Sequence, residues 1–157
     1  MKNARHWLRA AALLLATLCI AACAAQPAAE GDKAGIRDFC SKEQAEFLDR
    51  IETERPLSVA YHRNWETAES YTSEDAETVL AIAQALRDVQ IEERTDIVTT
   101  DNDNILVFTM EDGSTCGFSF NGNRFEAADG SRYTTANDSA LWKLASEIVG
   151  EADDTKN

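Results

Sequence analysis

A chain of 157 residues with 28 acidic and 15 basic side chains carries a formal charge of −13. A surface this acidic repels phosphates, so no nucleic acid is expected as a partner. The length allows one modest core and not two, and two histidines with four cysteines, none in a CxxC arrangement, make a metal site of the zinc type unexpected.

The chain opens MKNARHWLR, with Lys2, Arg5 and Arg9 ahead of an uncharged stretch from Ala10 to Ala22. Spanning a bilayer takes about 20 apolar residues, and this stretch is shorter. A basic start, a short apolar middle and small residues at its end describe an export signal. Removing residues 1–22 takes away three cations and no acid, which deepens the charge from −13 to −16.

Ile20-Ala21-Ala22-Cys23 resembles the lipobox of bacterial lipoproteins: an aliphatic residue, two small ones, then cysteine. Cys19 fits less well, because Leu18 stands where a small residue is expected. The resemblance covers the signal segment alone. It implies a diacylglycerol joined to the Cys23 sulfur as a thioether, and cleavage before Cys23 by signal peptidase II. Each buried methylene of such a palmitate-type anchor contributes about 0.8 kcal/mol, so two chains hold durably where one does not. The expected location is therefore the cell membrane or outer membrane, lipid-anchored and facing outside the cytoplasm. Ala24 is not the aspartate that resembles an inner-membrane retention signal.

Residues 23–35 are small and polar and read as a lipidated tether, and residues 151–157 as a disordered acidic tail. Between them, 36–150 is expected to be a single α+β domain. Ser41 and Gln44 have capping-box spacing and predict a helix through Ala45, Leu48 and Ile51. Leu57, Val59 and Tyr61 alternate after Pro56 as a short strand. Ser73 is the expected cap of a second helix, which carries Ala76, Val79, Ile82, Ala83 and Leu86 on one face.

Ile105 to Met110 predicts a central strand, followed by tight primed turns at Asp112-Gly113 and Asn121-Gly122 and a further turn at Asp129-Gly130. Cys116, Phe118 and Phe120 alternate toward the core. Asn137 or Asp138 caps a last helix, with Leu141, Leu144, Ala145 and Ile148 apolar and Gly150 as its stop. The expected fold is a small antiparallel β-meander of about four to five strands packed with two to three helices.

Chemistry-bearing motifs are sparse. Cys40 and Cys116 are the two cysteines left beside the anchor, and an exported pair of this kind reads as a disulfide, with two buried free thiols as the alternative. Asp101 to Asn104 begins like a calcium loop, but Ile105 and Leu106 occupy the positions where a ligand and a glycine belong. Asn137-Asp138-Ser139 matches a glycosylation acceptor and is better read as a helix cap. No nucleophile-elbow, zinc-helix or phosphate-loop motif is present, and no cofactor is expected. His62 is the one histidine after the signal.

Tyr61, His62, Trp65 and Tyr71 cluster in an expected loop. Aromatic side chains with polar handles can stack on a sugar or anchor a protein, though more often they close the edge of a core. The expected activity is that of a non-catalytic envelope binding module with a protein or glycan partner. The alternative is a small envelope hydrolase using His62.

Overall fold

The structure, a computed structural model, describes residues 34–63, 69–99 and 103–154. The lipobox and Cys23, the tether through Lys33, Trp65, Asp101 and Asn102, and the last three residues of the tail lie outside the described residues.

Local sequence sets the first helix. Ser41 Oγ accepts from the Gln44 amide at 3.1 Å while Gln44 Oε1 accepts from the Ser41 amide at 2.8 Å. This reciprocal cap, contributing about 1 kcal/mol, starts α1 at Lys42–Arg50. A short 3-10 helix, Ile36–Phe39, precedes it and buries Ile36. The strands follow as β1 (Ser58–Arg63) and β2 (Glu69–Ser73), which pair antiparallel with Tyr61 opposite Tyr71. The expected loop is therefore a hairpin. Leu57 lies outside β1 and is 47% exposed, whereas Val59 and Tyr61 point into the core as expected.

The second helix, α2, is Ala76–Arg87, with Val79, Ile82, Ala83 and Leu86 buried. Its cap is Asp75, whose Oδ1 accepts from the Thr78 amide at 2.8 Å, rather than Ser73. Ser73 ends β2 and accepts from the Asp75 amide through Oγ at 3.3 Å. Then come β3 (Gln90–Thr95), β4 (Asp103–Thr109), β5 (Thr115–Asn121), β6 (Arg124–Glu126), β7 (Arg132–Ala136) and α3 (Ser139–Asp154). The α+β class is as expected, but the antiparallel sheet has seven strands, in the order β2-β1-β4-β5-β6-β7-β3, where four to five were expected. The strands without a sequence signal are β2 and β3, which lie at the two edges. One face and one flank of an edge strand meet water, so the apolar alternation that betrays an inner strand is absent from ESYTS and QIEERT.

The helix α2 carries the chain from one edge of the sheet to the other. There β3 meets the end of the expected tether: the Ile91 amide donates to the Ala34 carbonyl at 2.9 Å, and Gly35 bridges Gln90. Residues 34 and 35 thus belong to the folded unit and not to a free tether.

The turn after β4 also departs from expectation. A primed two-residue turn with glycine second is type I′ and needs φ > 0 at both central residues, and here Gly113 alone has it, at 80°. The Met110 amide donates to the Ser114 carbonyl and the Gly113 amide to the Met110 carbonyl, which makes a three-residue loop closed by glycine. The turn at Gly130 has the same bonds between Ala127 and Ser131. At the other end of the domain, α3 runs through Gly150 to Asp154. Glycine weakens a helix interior by about 1 kcal/mol, too little to stop a helix already anchored by packing.

The core lies on the one sheet face that the helices cover. Phe47 of α1 sits 5.0 Å from Phe108 and 5.7 Å from Phe118, ring centre to ring centre. Trp142 of α3 stands edge-to-face with Phe120 at 4.9 Å. Among the described residues no helix is long and apolar enough to cross a membrane.

Candidate functional site

Among the described residues, a cleft lined by polar and aromatic side chains opens where β1 ends, β4 begins and β5 turns into β6, against α3. It is open to solvent and has a volume of about 600 Å³. That is within the range of small-molecule sites. From β1 come Tyr61 and Arg63, two positions apart and so on the same side of the strand. Asn104 of β4 stands opposite Arg63 in register. The Tyr61 hydroxyl donates to Asn104 Oδ1 at 2.7 Å. Burial raises the Tyr61 phenol above its ordinary range against a smaller opposing effect of the Arg63 charge, so it stays a donor at neutral pH.

Asn121 holds the floor. It is 5% exposed at the end of β5. Its Oδ1 accepts from the Thr99 amide at 2.8 Å, and its Nδ2 donates to the Thr99 carbonyl and to Asp103 Oδ1, both at 2.7 Å. Thr99 is thereby fixed, and Arg124 Nη1 donates to its hydroxyl at 3.1 Å. On the α3 side, Asp138 Oδ2 accepts from the Trp142 indole Nε1 at 2.9 Å and lies 2.7 Å from Thr135 Oγ1. Asp138 immediately precedes α3 and so occupies the expected cap position. Its carboxylate orients the tryptophan that lines the cleft. Asn137 takes a left-handed φ of 51° and bonds back to β3, its Oδ1 accepting from the Gln90 amide at 3.1 Å.

Of the binding residues expected from sequence, Tyr61 lines this cleft and Trp65 lies outside the described residues. Tyr61 is 5% exposed, so it acts as a wall rather than a stacking platform. Tyr71 is cross-strand from Tyr61, partly buried against the core. His62 has the opposite pleat and faces away from the cleft, between Ser70 on β2 and Ile105 on β4. The residues that sequence reasoning missed are Asn104, Arg124 and Trp142, whereas Arg63 lies in the same Tyr61-to-Tyr71 stretch that the sequence marks for binding. The helical spacing of Trp142 relative to Asp138, four positions on, was the available signal.

Cys40 and Cys116 are free thiols in the structure, half-buried at the opposite end of the core. Burial raises Cys40 to about 12, helped by its neighbour Cys116, and burial raises Cys116 to about 11. Their flanks are tied together: Gln44 Nε2 donates to the Gly117 carbonyl at 2.7 Å. No family model, no characterised protein and no solved structure matches this chain.

Proposed function

We propose that the protein is a non-catalytic lipoprotein of the bacterial cell envelope, held by acyl chains on Cys23, that presents its α+β domain to bind an envelope ligand. The observation that carries the binding half is the cleft itself. Its groups are held by one another, Tyr61 by Asn104, Thr99 by Asn121 and Trp142 by Asp138. A fixed shape of this kind lowers the ordering cost of binding. The anchoring half rests on the lipobox.

Each half has its own test. Cys23→Ser should abolish palmitate labelling and leave an uncleaved precursor; unchanged labelling overturns the lipoprotein reading. A photo-crosslinking residue in place of exposed Ser146, on the rim of the cleft, should capture an envelope component in living cells. The same residue at exposed Lys143 should not. Turnover of an envelope substrate that His62→Ala abolishes would overturn the binding reading in favour of a hydrolase.

The same envelope setting supports a bond between Cys40 and Cys116. Two thiols become one disulfide, releasing two protons and passing two electrons to a thiol–disulfide oxidoreductase of the oxidising compartment. Thiol counting on denatured, unreduced mature protein should find neither cysteine free. Two free thiols there would overturn the bond.

A further inference from the structure

Of the six described arginines outside the cleft, four meet carboxylates and the exposed Arg55 and Arg94 form no ion pair among the described residues. Arg37 pairs with Asp49, Arg50 with Glu54 and Asp112, Arg87 with Glu52, and Arg132 with Glu126. Two that line the cleft do not. Among the described residues Arg63 has no ion-pair partner, and Arg124 reaches only the Thr99 hydroxyl and, at 3.5 Å, the Asn121 carbonyl. The acid in the same cleft, Asp138, is engaged by Trp142 and Thr135. In a chain with 28 acids to 15 bases, two guanidiniums left without a carboxylate in one concavity is a local reversal of the whole molecule's charge.

We infer that the cleft binds an acidic sugar, its carboxylate held by Arg63 and Arg124 and its ring set against Trp142. The inference rests on the binding reading above and names the ligand class for that cleft. Guanidinium is planar and forked and matches a carboxylate with two parallel hydrogen bonds. The Asn104 carbonyl is taken by Tyr61, which leaves its amide nitrogen as the free donor for a sugar hydroxyl. Exposed Asn123, at the β5–β6 turn, adds a second amide. An indole beside amides and a cation suits a ring that is apolar on its C–H face and polar at its edge. The volume of about 600 Å³ is enough for two or three sugar rings.

The test is calorimetric titration of the mature lipidated protein in detergent with three probes: digalacturonic acid, its methyl ester, and inorganic phosphate. Digalacturonic acid should bind, and the ester, which keeps the rings and loses the charge, should bind at least tenfold more weakly. Arg63→Ala, at the exposed end of β1, and Arg124→Gln should each weaken the acid at least tenfold and leave the ester unchanged. Phosphate should give no saturable heat. Equal affinity for acid and ester overturns the carboxylate assignment, and phosphate binding as tight as the acid overturns the sugar. If none of the probes binds while crosslinking through residue 146 still captures an envelope component, this inference falls and the binding module stands. If that crosslinking fails too, both fall.

Discussion

The two ends of the helix-covered sheet face use arginine in opposite ways. At the α1 end, Arg50 bridges Glu54 at 2.7 Å and Asp112 at 3.1 Å, so the guanidinium joins a helix to the β4–β5 loop and its charge is spent locally. Beneath it Phe47, Phe108 and Phe118 fill the core. At the cleft end, Arg63 and Arg124 stand without a carboxylate partner among the described residues, and the polar groups around them are organised by Asn121 and Asp138. A neutralised arginine holds geometry; an arginine left charged beside a shaped concavity is available to something else. One end holds the packed core, and the other is the end to which the proposed binding reading assigns contact.

The largest effect that should separate the ends is Phe118→Ala, which removes a ring from the fully buried centre of the α1 end. It should cost about 3–5 kcal/mol in urea unfolding, as large-to-small core changes do. The native protein that remains should keep its cleft affinity. A cost under about 1 kcal/mol would mean that this end is not the stability core. Next is Asn121→Ala, which strands the Thr99 amide and Asp103. It should cost roughly 1–3 kcal/mol and weaken ligand binding together, because the floor and Arg124 depend on the same residue.

Tyr61→Phe should cost about 1 kcal/mol, the ordinary value of one hydrogen bond whose acceptor keeps access to water. Arg63→Ala, on an exposed side chain, should stay within about 0.5 kcal/mol in stability. A larger loss would mean that Arg63 holds the fold and is not free for a ligand.

The smallest effect is read on the acid limb. Hydrogen bonds from Ser114 and then Arg50 hold Asp112 at about 2, below its ordinary range. A carboxyl depressed on folding stabilises the protein above its unfolded pKa of about 4, and that contribution is lost as pH falls from there to about 2. Asp112→Asn should therefore flatten the melting temperature between pH 4 and 2 relative to the parent protein. An identical acid limb in the two proteins would show that the loop contact adds nothing.

Short-range rules carried well through the helices. The Ser41–Gln44 cap, the buried face of Val79, Ile82, Ala83 and Leu86, and the inward alternation of Phe118 and Phe120 all depend on neighbours within a few positions, and each is found as expected. Edge strands failed for the reason their exposure gives. The primed turn expected at Asp112-Gly113 failed because a dipeptide with glycine second suits either such a turn or a glycine-closed three-residue loop, and strand register selects between them.

What the sequence by itself determined is the α+β class, the two inner strands that carry the phenylalanine core and the faces of the helices, because apolar periodicity is a local property of the chain. The cleft was beyond its reach. Tyr61 is 43 residues from Asn104, and Asn121 is 22 from Thr99. Each side chain alone is an ordinary polar or aromatic residue. Only the pairing of β1 with β4 and the return of α3 across β5 bring Arg63, Arg124 and Trp142 to one concavity, and only there does the lack of a carboxylate partner for the two arginines among the described residues acquire meaning. Separation along the chain hides such a site because cooperative packing, and no local rule, sets which distant residues meet.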